Sequence, residues 1–391
     1  MPPAATRSPR GRRERAPRAT HRLIGRLCAA VITSAAAVVP ATAARAAVPH
    51  VVEYGPLPTG PLSGACEVEF DGNGRLWVEQ YLAGQFTRFD PATGHFEEFR
   101  TPMPLSVPGG EEIGQDNAIW STEVTGNSLL RIDPDTGAMQ EIPLPWAGAL
   151  NTSGLELPLH TGLGLANDIT KGADGAMWFT LGGLNSVGRI DMATHQMTKY
   201  PLPTATGAQQ ALFGIIKPGP GRTMVTDLPL ENKVFSINVD TKAVTEYTMP
   251  TPGSFPLGVT TGPDGAIWVT EELAMKLARI DPETGRIQEF PLFGLGGLLS
   301  SLFDGGGIGN PLPIPGPIVT GSDGRLYFSL NFAGSVGLGN KMGSFDPVTH
   351  QAESYATPSS LSSPCDINNE QPGSIWFAEL TANKVGRLVF D

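Results

Sequence analysis

Charge is scarce in this chain. Lys, Arg, Asp and Glu make up 17% of its 391 residues and aromatic residues 7%. So little charge, with so many turn formers beside it, excludes a helical bundle or a coiled coil. There are three cysteines and six histidines. None has the spacing of a zinc site, and neither a nucleophile elbow nor a phosphate loop is present. No long apolar run exists either. The best stretch, Leu27 to Ala44, is weakly hydrophobic and contains Pro40, which excludes a permanent membrane span. What the chain does have is 48 glycines, 36 prolines and an apolar content of 40%. That content suffices for a core, so wholesale disorder is excluded too.

The charges are unevenly placed. Residues 1–46 hold nine arginines and one acid, Glu14. Beyond them stand 18 basic and 37 acidic residues, a net charge of about −19 with His neutral. A body that acidic repels phosphate backbones, so nucleic acid is not an expected partner. The Arg-rich start, the mild apolar run and Ala44-Arg45-Ala46 follow the pattern of a secretory signal. Cleavage is expected after Ala46, which leaves a secreted protein. A transit peptide has a similar Arg-rich, acid-poor composition. Cys28 falls within this segment. The remaining two cysteines, Cys66 and Cys365, suggest one disulfide in an exported protein.

Residues 47–391 are built from one unit repeated seven times. Residues 258–290 read GVTTGPDGAIWVTEELAMKLARIDPETGRIQEF, and close variants begin at 164 and 373. Each unit is an apolar strand, a DG turn, a strand, a loop, a strand ending Arg-Ile-Asp, a PxTG turn and an outer strand. The anchors are Trp77, Trp120, Trp178, Met224, Trp268, Tyr327 and Trp376, most about 43–49 residues apart. Four short strands at that period predict an all-β fold, a seven-bladed β-propeller. Gly of the DG turn supplies the left-handed position of a tight hairpin. The recurrent turn aspartates read as caps on backbone amides. The last unit lacks an outer strand, and Val51 to Pro58 has the sequence of one. The N-terminal strand is therefore expected to close the ring, removing two open sheet edges. A monomer is expected.

Counting from the anchors locates the functional face. Three residues after them stand Gln80, Glu123, Leu181, Asp227, Glu271, Leu330 and Glu379. Eleven before them stand Cys66, Gly109, Asn167, Phe213, Leu257, Gly316 and Cys365. The first set holds four acids, Glu123, Asp227, Glu271 and Glu379, a candidate oxygen cage for Mg²⁺ or Ca²⁺. The alternative is that Glu belongs to the repeat and bonds loop amides or the nearby Asn127, Asn232 or Asn383. Cys66 and Cys365 hold matching positions in units 1 and 7, which predicts that they bond to each other across the closure. Among the histidines only His160 lies in a loop of this face; His95, His195 and His350 fall in turns of the other. Two long apolar inserts, 146–166 and 293–314, emerge on the functional face. They suggest lids over a pocket for a partly apolar small molecule. Asn167, Asp168, Asp366, Trp146 and Phe293 are the candidate ligand contacts.

At GPDGAIWVTE…ARIDPETG…EFPL the chain resembles the virginiamycin B lyase (streptogramin lyase) family over about residues 50–391. The resemblance implies a seven-bladed propeller and elimination at an ester of a cyclic depsipeptide. It also implies a general-base His and a Mg²⁺ held by glutamates. Transferred to this chain, the base falls on Cys365, one metal glutamate on Glu379, the second on Ser363, and a further active-site His on Gly316. Any catalysis would then need another base, with Glu379, Glu271 and His160 the candidates. A non-catalytic extracellular binding propeller is the rival reading.

Overall fold

Each repeat becomes one blade because its turns can adopt few other shapes. In a computed structural model the described residues are 48–103, 106–146, 164–203, 214–292, 314–331 and 339–390. Gly175, Gly265 and Gly324 of the DG turns have φ of +78°, +73° and +81°, conformations that disfavour a Cβ. In the second turn Asp281 Oδ1 accepts the amides of Glu283 and Thr284 at 3.0 and 2.9 Å. Asp133 does the same for Asp135 and Thr136. These are capping roles, as expected.

The aspartate of the DG turn has further work. Asp174 accepts the Trp178 indole N–H at 2.9 Å and the Arg189 guanidinium at 2.7 Å. Asp264 likewise holds Trp268 and Arg279, and Asp116 holds Trp120 and Arg131. One carboxylate thus ties the first hairpin, the anchor and the third strand together, which explains why Asp, Trp and Arg recur as a set.

The result is seven four-stranded antiparallel sheets. Their innermost strands are Ala65–Phe70, Pro108–Ile113, Ile169–Lys171, Ile216–Gly219, Pro256–Thr261, Ile314–Thr320 and Pro364–Asn368. Each lies beside the next, and the last lies beside the first, so they form a ring. The seventh sheet is completed by the N-terminal strand His50–Tyr54, which pairs antiparallel with Lys384–Val389. Apolar clusters fill the seven blade-to-blade interfaces. Glu53 fastens the closing strand by accepting from Lys384 Nζ at 2.6 Å and Ser359 Oγ at 2.8 Å.

Blade 4 corrects one expectation. Strand pairing sets Val225 opposite Ser236, as Trp268 stands opposite Arg279. The anchor position of that blade is therefore Val225, and Met224 faces the preceding blade. Positions counted from Met224 move by one: Gly214 replaces Phe213, Leu228 replaces Asp227, and Asp227 shifts to the row that holds Glu79 and Thr180. A missing aromatic had concealed the register.

Candidate functional site

The inner strands begin at one mouth of the channel, and their first residues line a cavity of about 250 Å³. Its polar side is Glu67, Glu79, Tyr81, Asn167, Asp168, Lys217 and Asp366. Its apolar side comes from Val107, Pro108, Val124, Ile215, Leu257 and Pro317. Glu67, Asp168 and Asp366 each stand ten residues before their anchors, so the repeat carries them to one level.

These groups are held firmly. Thr180 Oγ1 accepts the amides of Asn167 and Asp168 at 3.2 and 3.1 Å. Asp168 accepts the amides of Ile169 and Ile216, both at 2.8 Å, and its Oδ2 lies 3.7 Å from Lys217 Nζ. Gly110 makes room for it, since a Cβ there would stand 2.3 Å from Asp168 Oδ1. Cys66 and Cys365 form a disulfide in the cavity wall, with Cα atoms 4.9 Å apart. That bond ties blade 1 to blade 7 and puts their next residues, Glu67 and Asp366, side by side.

Too many carboxyl groups share this space for all to ionise. Burial, then the charges of Asp366 and Asp168, hold the Glu67 carboxyl well above its ordinary range, and it hydrogen-bonds Asp366. Burial also pushes Asp168 up to about 6, against the pull of Lys217. Glu79 and Glu111 are raised by burial, Glu79 also by the charge of Glu111 and Glu111 by that of Asp366. Burial works against the Lys217 charge, but Asp168, Asp366, Glu67 and Glu112 together outweigh it and hold the ammonium protonated.

Glu123, Asp227, Glu271 and Glu379 form no close carboxylate group among the described residues. Glu123, Glu271 and Glu379 are buried at the ends of second strands, each in its own blade, and do not line the cavity. Glu123 accepts from Ser128 Oγ of its own hairpin. Glu271 leans outward to Ser254, Glu289 and Lys276, and burial raises it to about 7. Glu379 leans to Glu53 and Lys384 and is raised by burial to about 8. Asp227 accepts the Ile215 amide at 3.0 Å. Glu123, Glu271 and Glu379 thus lean to the outer part of their blades, whereas Asp227 faces the inner strand. The aligned position Ser363 is fully buried and Cys365 is in the disulfide. The Asn of the repeat has a different task from bonding these acids: Asn232 Oδ1 accepts from Ser254 N and Oγ, and Asn127 Oδ1 from Gly164 N. Each pins a following loop.

Of the candidate ligand contacts, Asn167, Asp168 and Asp366 meet at the cavity. Trp146 does not join them; it packs on Phe179 with the Lys199 ammonium over its ring. His160, Phe293 and most of both inserts lie outside the described residues. Glu67, Glu79 and Lys217 were not anticipated. The shared ten-residue offset of Glu67, Asp168 and Asp366 was the available signal.

Residues 151–295 match the sequence profile of the virginiamycin B lyase family. No curated protein sequence matches the chain. Among solved structures, selenomethionine-substituted virginiamycin B lyase from Staphylococcus aureus is similar. It is 24% identical, with a TM-score of 0.70 over 88% of this chain and 99% of that one. A catalytically inactive His→Ala form of that lyase, solved with quinupristin, matches equally at 24% identity, 0.70, 88% and 100%. A streptogramin B lyase follows at 23% identity and 0.69, covering 88% of this chain and 98% of its own. Residues 151–295 thus carry the repeat of the virginiamycin B lyase family, and the seven-bladed ring around them has the fold of those lyases.

Proposed function

We propose that this protein takes a partly apolar small molecule at the channel mouth and breaks a C–O bond in it, an ester or lactone, by acid–base catalysis. The observation that carries the reading is the Glu67–Asp366 carboxyl pair on the polar side of an otherwise apolar cavity. Burial makes Glu67 a proton holder at neutral pH, and a neighbouring carboxylate is the natural taker. In an elimination, Asp366 removes the proton α to a carbonyl while a C=C bond forms. The C–O bond breaks, and Glu67 gives its proton to the leaving oxygen. Lys217 and the Asn167 side chain stand beside the pair to balance charge developing on the carbonyl oxygen. No step is routed through a cation.

The test is a turnover screen on cyclic depsipeptides and lactones, with and without Mg²⁺, against Glu67→Gln and Asp366→Asn. Turnover that falls at least 100-fold in both variants supports the reading. Full activity in either variant, or activity that demands Mg²⁺, overturns it. A second reading, a non-catalytic binding propeller, is favoured by Cys365, since the position that family resemblance gives to the base is held in a disulfide. Ligand binding without turnover across the screen would establish it. Export to the extracellular space is part of the same proposal, supported by residues 1–46 and by a disulfide in the ring closure.

A further inference from the structure

The cavity has two unlike halves. On the side of blades 3 and 4, Lys217 sits among Asp168, Glu67 and Asp366 and offsets their charge. On the side of blades 1 and 2 stand Glu79 and, behind it, Glu111, whose carboxyls no lysine or arginine among the described residues offsets. Glu79 lines the cavity and is 1% exposed. It receives the Glu67 amide, yet its Oε1 has no hydrogen-bond partner among the described residues. A donor brought by a ligand would satisfy that buried acceptor. Tyr81 stands beside it as a cavity-lining ring. Val107, Pro108, Val124, Leu257 and Pro317 supply apolar walls within the same space.

We infer that this half of the cavity is an ammonium subsite, and that the ligand is an organic amine with an apolar body. Its charged N–H group donates to Glu79 Oε1 beside the Tyr81 ring, and its body lies on the apolar walls. A carboxylate ligand is disfavoured, because it would meet Glu67, Glu79, Asp168 and Asp366 with only Lys217 to receive it. An uncharged isostere fills the walls but brings no charged donor to the open Glu79 Oε1. The inference deepens the reading of the channel mouth as a small-molecule site and rests on it, but it does not require turnover.

The experiment compares benzylamine, benzyl alcohol and benzoate by calorimetry on the full-length protein at neutral pH. Benzylamine should bind at least ten-fold more tightly than benzyl alcohol, and benzoate not measurably. Glu79→Gln should abolish the preference for the amine while benzyl alcohol binding stays as it was. Glu370→Gln, at the opposite end of the channel, should leave the preference intact. Equal affinity for amine and alcohol overturns the inference, even if Glu79→Gln fails to fold. So does a preference that survives in Glu79→Gln or disappears in Glu370→Gln. The two proposals fail separately: Glu67→Gln without loss of turnover removes the acid–base reading, while an amine preference in the wild-type protein would still stand.

Discussion

The two ends of the channel carry similar residues on the same strands, yet they are built for different ends. At the far end Glu69, Glu112 and Glu370 bring carboxylate oxygens within 4.8 Å of one another. There Glu69 accepts from the Ile113 amide at 3.0 Å and Asn368 Nδ2 at 2.9 Å. Glu112 accepts from Thr170 Oγ1 at 2.7 Å and pairs with Lys171 at 3.1 Å. Lys171 is the cluster's own cation. At the mouth, Lys217 balances only part of the charge, a cavity opens, and Glu79 keeps an open acceptor. Counting acids would rank the far end first. Satisfied hydrogen bonds mark it as structure, and space plus an unmet acceptor marks the mouth as a site.

The largest effect expected from this contrast is at the lysines. Lys217→Met leaves the buried Asp168 and Asp366 without their counter-charge and should cost about 3–5 kcal/mol in urea unfolding. Lys171 is 41% exposed, so Lys171→Met should cost no more than about 1 kcal/mol. Equal costs would erase the distinction between the two ends.

The closure comes next. Cys66→Ser with Cys365→Ser removes a bond that spans 299 residues and should cost about 2–5 kcal/mol. It should also separate Glu67 from Asp366, so ligand binding at the mouth should fall further than stability alone explains. Unchanged binding in a folded double variant would show that the strands alone fix the pair.

The ring was legible because the repeat writes its own geometry: DG turns, Trp anchors and Arg-Ile-Asp endings recur at one period. The Cys66–Cys365 bond was legible for the same reason, from equal offsets in units 1 and 7. The site was only half legible. Asn167, Asp168 and Asp366, named as candidate contacts, line the cavity, while Glu123, Glu271 and Glu379, read either as a cage at the mouth or as part of the repeat, lean away from it. Offsets give the level of a residue along a strand; which side its carboxylate leans to depends on cross-strand neighbours such as Lys276 and Lys384. Lys217 was missed because it stands eight residues before Val225, level with Glu69 and Glu112, and reaches Asp168 only through its long side chain.

Dependence on pH should follow the mouth. For a carboxyl whose folded-state pKa is raised, the folded form holds the proton more tightly than the unfolded chain. The stability it contributes is present at low pH and is lost as pH rises through the folded value. With Asp168 raised to about 6, and Glu67 and Glu79 also held well above the usual carboxylate range by burial, stability should fall as pH rises from 5 to 8. Glu67→Gln should flatten that slope in chemical denaturation across the range. An unchanged slope would place the excess protons elsewhere.

The smallest effect concerns blade 7, where Pro372 stands at the position of Asp264. Trp376 Nε1 and Arg387 Nε accordingly lack hydrogen-bond partners among the described residues. Pro372→Asp should supply both and raise stability by about 1 kcal/mol, read as a higher melting temperature. A lower one would mean that Pro372 matters more to its turn than the missing carboxylate does to the blade.

The central claim is that the mouth, and not the far end, receives the ligand. A crystal structure of the full-length protein with benzylamine tests it most directly. The account predicts the ammonium within hydrogen-bond distance of Glu79 Oε1, with the ring on Val107, Pro108 and Leu257. An ammonium lodged among Glu69, Glu112 and Glu370 instead, with the mouth unoccupied, would contradict it.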